Sequence, residues 1–346
     1  MGDIEERKTE EPPKETAPAS EETAQDTSPT EPASDPAKPV SKQSCTKGLP
    51  GANKSCGGVG GKLDCCDSPL VEGGKFLRNY DGNGSQVPTE SGTLGERIMT
   101  FDDPSYPAKV SDFRLDAFEI TVGRFRQFVA QEGGTQKNPP AKGAGAHPKN
   151  AKSGWDPEWN SRLLRDRKEL EAALSCGKKV DDPETWSVTP GELESHPMLC
   201  VDWYEAFAFC AWDGGRLPTD AELNYASSGG EEQRLYPWDG YVISKERAVY
   251  GCYDISCLPP VGSKPKGMGK WGHYDLLGSA NEWVMDTYDI PKVPCTDCVD
   301  TQDYTSRLTR GESFNGAPLL NLFSAASNGK PATQRLGMGF RCVRDP

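Results

Sequence analysis

The sequence predicts a fold of short helices and short strands joined by long loops. Glycine (37) and proline (29) together make about a fifth of the 346 residues, and hydrophobic residues make only 35%. Such usage is typical of chains with many turns and little regular structure. Twelve cysteines add the cross-links that a loop-rich chain needs. We therefore expect turns and disulfides to hold this fold.

The charge balance argues against a nucleic-acid partner. The chain carries 52 acidic and 39 basic residues, a net charge of −13, whereas phosphate binding needs clustered lysine and arginine. No segment approaches the roughly 20 apolar residues of a membrane-spanning helix, and the first residues lack the apolar core of a signal peptide. We therefore expect neither nucleic acid nor a membrane span.

The cysteines are even in number and closely spaced, which is typical of disulfides formed in an oxidising compartment. The alternative is a zinc site, in which Cys252, Cys257, Cys295 and Cys298 would supply four thiolates. We favour disulfides, and with them an extracellular, periplasmic or cell-envelope location, although no signal peptide is visible. The twelve positions are Cys45, Cys56, Cys65, Cys66, Cys176, Cys200, Cys210, Cys252, Cys257, Cys295, Cys298 and Cys342.

Composition divides the chain into three parts. Residues 1–43 consist mostly of Glu, Pro, Thr, Ser, Ala and Lys, so burial cannot offset the entropy of ordering them, and we expect a disordered acidic tether. Residues 44–67 are rich in glycine and contain four cysteines, whose pairing stays open among three connectivities. Apolar residues become regular after this segment, so we place the main domain at residues 68–346.

Local start signals predict the helices of the main domain. Apolar residues at helical spacing follow Thr121. A capping box of Asp202 and Glu205 predicts a second helix, and a box of Thr219 and Glu222 predicts a third. We also expect a short strand before the first helix and a charged helix inside an insertion. The strand and the charged helix are predicted at residues 113–118 and 165–173.

Several motifs occur in the order that is found in one known family. They resemble the core of the formylglycine-generating enzyme, or sulfatase-modifying factor, family over about residues 71–344. The resemblance implies an α+β fold, a modified C-type-lectin-like domain with little regular secondary structure. This expectation agrees with the composition. The motifs lie at residues 118–121, 196–212, 215–223, 236–238, 275–283, 310–314 and 339–342.

The resemblance also implies a calcium site. In the family, main-chain carbonyls at the positions of Leu277, Gly278 and Ala280 join a carboxylate at the position of Glu282. Hard oxygen ligands in a fixed loop suit Ca²⁺. A second family calcium site would begin near Val249, but its asparagine ligand is replaced, so we expect that site to be lost.

The family's catalytic pair of cysteines is missing from this sequence. The family's oxidase binds Cu(I) through two cysteines just after a Gly-Ser-Phe element, and here no cysteine lies between Cys298 and Cys342. We therefore expect no copper. Ser313 matches a family active-site serine, and Glu312 is a candidate acid or base, with a solvated surface carboxylate as the alternative. The resemblance implies a disulfide between Cys210 and Cys342.

The histidines offer no replacement metal site. Relatives in the ergothioneine-type branch hold non-haem iron through histidines, but this chain has only His147, His196 and His273, which are isolated in the sequence. We expect each of them to be a surface or capping residue. Iron-dependent oxidation is therefore disfavoured.

Three functions follow from these observations. The first is a monomeric, secreted or envelope binding or structural module without oxidase activity, whose partner is an unknown peptide or cell-surface polymer. The second is an enzyme of the family, either a formylglycine-generating oxidase or a catalyst of another reaction in the same cleft. The third is a zinc-stabilised cytosolic protein.

Overall fold

The computed structural model describes most of the chain after its N-terminal segment. The tether predicted at residues 1–43 lies, up to residue 41, outside the described residues. At residues 98–99 only the backbone is described. The described residues are 42–58, 60–80, 98–99, 106–176, 184–289, 291–302, 305–316 and 324–346.

Within these residues the chain forms four α-helices and eleven strands, and the longest strand has seven residues. The prediction of an α+β fold with little regular secondary structure is confirmed. The helices are α1 (Val122–Ala130), α2 (Arg167–Ala173), α3 (Trp203–Trp212) and α4 (Asp220–Ser227). The strands are β1 (Leu70–Val71), β2 (Gly74–Leu77), β3 (Ile98–Met99), β4 (Pro107–Val110), β5 (Phe113–Leu115), β6 (Asn281–Thr287), β7 (Cys295–Thr296), β8 (Ser306–Arg310), β9 (Ser327–Pro331), β10 (Met338–Gly339) and β11 (Val343–Arg344).

The strands form three small sheets. The first has β5 between β1 and β11, and all three strands are antiparallel to their neighbours. The second has the order β10-β6-β8-β9-β3, with β6 parallel to β10 and antiparallel to β8. The third has the order β2-β4-β7. Strands near the C-terminus pair with strands near the N-terminus in all three sheets, as β11 does with β5, β9 with β3 and β7 with β4. The sheets therefore join parts of the chain that are distant in sequence.

The predicted helix starts are confirmed. The Thr121 side chain accepts a hydrogen bond from a main-chain amide in the first turn of α1. Both predicted capping boxes are formed, Asp202 with Glu205 at α3 and Thr219 with Glu222 at α4. Each box satisfies two main-chain amides that a helix terminus leaves without partners. These starts are therefore specified by residues within one turn of sequence.

Two predicted elements are shorter in the structure than in the prediction. The charged helix begins at Arg167, because Asp166 serves as its cap. The strand predicted at residues 113–118 ends at Leu115. The chain then turns inward, because the Asp116 amide donates to the main-chain carbonyl of Cys342.

The main core packs around α3, of which eight residues are buried. The rings of Phe125 and Phe209 stack with their centroids 5.4 Å apart. Trp203 and Trp283 are fully buried, and each indole N–H donates to a main-chain carbonyl. Buried tryptophan needs such a partner, because an unpaired N–H away from water is costly. The helix is therefore fixed to β6 by polar contacts as well as apolar ones.

All twelve cysteines are paired, so the prediction of disulfides is confirmed. Cys210, in α3, is bonded to Cys342, just before β11. The zinc alternative is wrong for this structure, because its four cysteines form two short-range disulfides and leave no thiolate for a metal. The other pairs are Cys45–Cys66, Cys56–Cys65, Cys176–Cys200, Cys252–Cys257 and Cys295–Cys298.

The cysteine-rich segment at residues 44–67 packs against α1. The Thr121 hydroxyl donates to the main-chain carbonyl of Gly51. Arg124 Nε donates to the Ser44 hydroxyl at 2.9 Å. The segment therefore belongs to the compact unit that spans Pro39–Pro346.

A buried ionic network ties this segment to the C-terminus. Asp116 contacts Arg124 at 2.9 Å, and Arg344 and Lys42 each at 2.7 Å. Asp213 pairs with the same two arginines at 2.7 and 2.6 Å. Burial alone would raise the pKa of Asp116, but the three cations outweigh burial and hold that pKa well below its usual range. The carboxylate therefore stays ionised inside the fold.

Candidate functional site

The structure brings the two sequence-predicted sites together. The loop at residues 277–280 precedes β6, and the loop at residues 311–316 follows β8. The Gly278 amide donates to the Gly311 carbonyl at 2.6 Å, and the Phe314 amide donates to the Ser279 carbonyl at 2.9 Å. The candidate calcium residues and the candidate catalytic residues thus belong to one site.

The backbone of this site requires glycine at its first loop. Gly278 has φ of +79°, in the left-handed region that favours glycine. A Cβ atom at Gly278 would lie 2.1 Å from the main-chain carbonyl oxygen of Val249. That carbonyl accepts a hydrogen bond from the Ser279 amide at 2.9 Å. The close approach therefore holds residues 277–280 against a third loop.

Glu312 is buried, which corrects the alternative of a solvated surface carboxylate. Its exposed fraction is 8%, and its backbone has φ of +59°. The side chain turns back, and Oε1 accepts a hydrogen bond from the Ser313 amide at 3.0 Å. The left-handed backbone after β8 aims the carboxylate inward. The Glu312 side chain therefore helps to fix the 311–316 loop through its hydrogen bond with the Ser313 amide.

Ser313 lies beside Glu312 and has an exposed fraction of 3%. In the part of the chain that the structure describes, its hydroxyl has no hydrogen-bond partner. A Cβ atom at Gly337 would lie 2.6 Å from this hydroxyl, so only glycine fits opposite it. Asn315 and Gly316 are the partly exposed end of the loop.

The loop is anchored on its other side by the Cys252–Cys257 region. The Cys252 amide donates to the Phe314 carbonyl at 2.8 Å, and the Gly251 amide donates to the Gly316 carbonyl at 3.0 Å. Residues 317–323, which follow the loop, lie outside the described residues, and their sequence contains no cysteine. Hydrogen bonds on two sides therefore fix the described part of the loop.

The residues of this site do not fit Cu(I). Copper in this family requires two thiolates, whereas every cysteine of this chain is in a disulfide. Ser313 and Glu312 offer hard oxygen atoms, which a soft ion disfavours. We therefore derive no copper-dependent step for this chain.

Glu282 lies in β6, with its carboxylate facing Arg341. The Nε and Nη2 atoms of Arg341 donate to the two carboxylate oxygens, each at 2.7 Å. Both side chains are buried. Arg341 Nη2 also donates to the Tyr274 carbonyl at 2.9 Å. The pair therefore joins β6 to the segment that leads into the 277–280 loop.

Sequence reasoning missed two further carboxylates in this cluster, Glu119 and Asp275. Glu119 accepts hydrogen bonds from the Ala280 amide and the Ser279 hydroxyl, both at 2.9 Å. Burial, followed by the charges of Asp275 and Glu282, raises the pKa of Glu119 well above its usual range. Burial raises the pKa of Asp275 to about 6. Glu119 lies in the motif at residues 118–121 and Asp275 in the motif at residues 275–283, so the motifs could have pointed to both carboxylates.

The Glu282 carboxylate offers oxygen atoms of the kind that a hard cation prefers. The buried carboxylates of Glu119 and Asp275 are its electrostatic neighbours, and of these three only Glu282 is paired with Arg341. A carboxylate has about four lone-pair sites, so the pair with Arg341 leaves Glu282 with further capacity. In the described ranges, no three His, Cys, Asp or Glu side chains converge on a metal position. A calcium ion would therefore depend on the loop carbonyls, as the resemblance implies.

A second buried acidic pair lies near the same loop. Arg335 donates to both Glu205 oxygens at 2.7 Å and to Asp202 at 2.8 Å. Burial, followed by the charge of Glu205, raises the pKa of Asp202 to about 8. Arg335 stands two residues before Gly337, the neighbour of Ser313. The capping box of α3 thus also positions the segment opposite the candidate catalytic residues.

The histidines are buried, which corrects the surface part of the prediction, and His196 caps the short helical turn at Glu192–Ser195. The exposed fractions of His147, His196 and His273 are 3%, 9% and 0%. A ring nitrogen of His273 lies 3.2 Å from the Leu115 carbonyl, and burial lowers the His273 pKa to about 3. These neutral rings therefore pack within the fold.

Asp275→Asn is expected to stabilise the protein at pH 7 but not at pH 4. The pKa of Asp275 is near 4 in the unfolded chain and about 6 in the fold, so the folded state retains a proton across that window. The raised pKa of Asp275 contributes fully to the stability of the folded state below pH 4, and this contribution is lost as the pH rises through about 6. Asparagine keeps an acceptor for the Gly262 amide and does not ionise.

Urea denaturation at pH 4, 5, 6 and 7 in calcium-free buffer measures this effect. The exposed Glu192→Gln provides the matched control and should show no such trend. A stability difference between Asp275→Asn and the parent that stays constant across the four pH values would contradict the assignment.

Comparison with known proteins identifies the family. The sulfatase-modifying factor enzyme 1-like domain matches residues 62–346. The formylglycine-generating enzyme of Bos taurus is 25% identical over 303 residues, covering 75% of this chain and 74% of the relative. The inactive C-alpha-formylglycine-generating enzyme 2 of Mus musculus is 28% identical over 301 residues, covering 79% and 84%.

A solved structure supports the same fold. PvdO from Pseudomonas aeruginosa has a TM-score of 0.53 and 18% identity, and the match covers 82% of this chain and 95% of PvdO. The order of the motifs, the described fold and the family match over residues 62–346 agree with one another. The chain therefore belongs to the sulfatase-modifying factor family.

Proposed function

We propose that this chain is a member of its family that binds a ligand at the 311–316 loop without oxidising cysteine. The observation that carries the proposal is the pairing of all twelve cysteines, which leaves no thiolate for copper. The six disulfides favour an oxidising compartment. We place the protein outside the cell, in a periplasm or in a cell envelope. No helix of the described segments is long and apolar enough to cross a membrane.

The comparisons support this proposal. The mouse relative, 28% identical, is named as an inactive form of the enzyme. In this chain, the described part of the 311–316 loop is held by hydrogen bonds on two sides. A fixed loop without thiolate ligands can hold a ligand but cannot hold Cu(I), which prefers sulfur.

The exposed end of the loop is where a ligand would make contact. Asn315 and Gly316 are partly exposed, whereas Glu312 and Ser313 lie beneath them. The Asn315 side chain offers both a donor and an acceptor. Peptide groups or the hydroxyls of a cell-surface polymer would match it. We therefore propose a peptide or cell-surface polymer as ligand, bound by the monomer.

A second candidate is a different reaction in the same cleft. The observation that favours it is the contact of Glu312 with the Ser313 amide, beside a Ser313 hydroxyl that has no hydrogen-bond partner among the described residues. A buried carboxylate next to a hydroxyl is one arrangement from which proton transfer proceeds. The two proposals separate at Glu312, because Glu312→Gln would abolish turnover but leave binding at Asn315 intact.

The protein is expected to form no formylglycine. Oxidised protein would be incubated with Cu(I), oxygen and a cysteine-containing peptide, and the peptide would be examined by mass spectrometry. The bovine formylglycine-generating enzyme serves as positive control. We expect no product above the protein-free background and no copper retained after gel filtration. Formylglycine that appears with the parent and disappears with Glu312→Gln would overturn the proposal in favour of an enzyme.

The binding role is tested with immobilised peptides and bacterial cell-wall polysaccharides. Asn315→Ala should weaken any signal that the parent gives, whereas Glu312→Gln should keep it. A signal that is unaffected by Asn315→Ala would place the ligand elsewhere.

We also propose that Ca²⁺ binds the loop of Leu277, Gly278 and Ala280 together with Glu282. The family resemblance at residues 277–282 supports it, together with the buried Glu282 carboxylate two residues after Ala280. A ligand that binds only the folded state stabilises it by mass action, by about 2.7 kcal/mol at one hundred times its dissociation constant. Calcium should therefore raise the unfolding temperature, and a chelator should reverse the change.

Thermal unfolding with millimolar Ca²⁺, with Mg²⁺ and with chelator measures this effect. Mg²⁺ is the matched control, because it demands a tighter octahedral geometry than a carbonyl loop supplies. Equal unfolding temperatures in calcium and in chelator would exclude the site.

A further inference from the structure

Cys295 and Cys298 form a disulfide across only two intervening residues. Cys295 lies in β7 and is buried, with 4% exposure. Cys298 follows a turn in which Asp297 has φ of +46°, and it is partly exposed. A Cys-x-x-Cys pair with one accessible sulfur is the arrangement that many thiol–disulfide exchange sites use. The sulfur that an incoming thiolate reaches here is Cys298.

The fold has little need of this disulfide as a cross-link. The constraint that a disulfide places on the unfolded chain grows with the loop that it closes. Here the cysteines are 3 residues apart, against 132 for Cys210 and Cys342. Other contacts already fix the turn, because the Asp297 carboxylate accepts from the Ser111 amide at 2.6 Å. The pair is therefore free to open without loss of the fold.

A buried guanidinium contacts the accessible sulfur. Arg78 Nη1 lies 3.4 Å from Cys298 Sγ. Arg78 is buried and is held by Asp220, with its Nε 2.9 Å from that carboxylate. Asp220 also pairs with Arg310 at 2.7 Å, so one carboxylate serves two guanidinium groups. The positive charge of Arg78 is therefore available to stabilise a thiolate at Cys298.

Other charged groups line the same pocket as Cys298. Asp286 is 3.9 Å from the Arg78 guanidinium, and Lys292 pairs with Asp300. Because electrostatic energy falls with distance, the guanidinium in contact with the sulfur has the largest effect. The titratable groups that line this pocket with Cys298 are Arg78, Asp286, Asp289, Lys292 and Asp300.

Among the described residues, no cationic side chain is seen in contact with a sulfur of the other short-range disulfide, Cys252–Cys257. In the Cys252–Cys257 pair, both sulfurs contact the main-chain carbonyl of Asp254, at 3.3 and 3.0 Å. A carbonyl oxygen carries partial negative charge and disfavours a thiolate. Cys257 is nevertheless exposed, more so than Cys298. If the neighbouring charge controls thiol reactivity, Cys298 reacts faster than Cys257. If exposure controls it, Cys257 reacts faster.

We propose that Cys295 and Cys298 form a thiol–disulfide exchange site, in which Cys298 makes the mixed disulfide with a peptide or protein dithiol. A substrate thiolate attacks Cys298 Sγ, the Cys295–Cys298 bond breaks, and Cys295 leaves as a thiolate that takes a proton. The second substrate thiolate then attacks the substrate sulfur of the mixed disulfide, and Cys298 leaves as a thiolate beside Arg78. Two substrate thiols become one disulfide, and the pair becomes a dithiol.

The first experiment compares two single free thiols in the full chain. Cys295→Ala leaves Cys298 unpaired, and Cys252→Ala leaves Cys257 unpaired as the matched control. Alkylation by iodoacetamide from pH 5 to pH 9, followed by mass spectrometry, gives the rate and the thiolate pKa of each. We expect Cys298 to react about tenfold faster than Cys257 at pH 6.5, because its pKa lies below the ordinary value of about 8.5. Equal rates, or a faster Cys257, would overturn the proposal.

The second experiment tests the guanidinium and the reaction itself. In the Cys295→Ala background, Arg78→Gln should raise the Cys298 pKa, and Arg78→Lys should largely restore it; circular dichroism checks that each variant is folded. The intact chain is then mixed with a peptide that carries two cysteines, quenched with acid and mapped. We expect one peptide disulfide for each Cys295–Cys298 pair opened. Opening of another disulfide first would overturn the proposal whatever the fate of the Arg78 variants.

Discussion

Arg341 donates two hydrogen bonds to Glu282 in a place where water reaches neither side chain. The same guanidinium donates to main-chain carbonyls on either side, at Ala117 and Tyr274. One side chain thus joins the C-terminal motif, β6 and the two chain segments that carry Glu119 and the 277–280 loop. Breaking one partner of a buried pair costs about 3–5 kcal/mol, because the other charge is left buried alone. The functional loops depend on this pair for their position.

A fold with so little regular structure needs other means to fix its geometry. Short strands and helices satisfy few main-chain groups, so side-chain charges and disulfides connect segments that are distant in sequence. The network of Asp116, Arg124, Asp213 and Arg344 ties α1, α3 and β11 together. The disulfide at Cys210 acts between the same elements. This framework fixes the conformation of the loops at the candidate site, because those loops contain almost no regular secondary structure.

Local features of the fold could be predicted from the residues themselves, whereas the non-local Cys210–Cys342 disulfide was implied only by the family resemblance. The starts of α3 and α4 were predicted because a cap and its partner lie within one helical turn, and that of α1 because apolar residues at helical spacing follow Thr121. The burial of Glu312 was missed because it depends on a left-handed backbone after β8 and on segments packed over it from elsewhere. The pairing of four cysteines in residues 44–67 stayed open for the same reason. The order of the motifs added to the prediction of the candidate site, because it matched Glu282 and Ser313 to positions of one known family.

The six disulfides leave no free thiolate that could hold a metal ion in this chain. The most direct test is a thiol count by intact mass on protein purified without reductant, alkylated before and after reduction, with metal analysis of the same sample. We predict no adduct before reduction, twelve after it, and no bound copper or zinc. Four or more free thiols accompanied by stoichiometric zinc or copper would contradict the account and return a thiolate metal site to this protein.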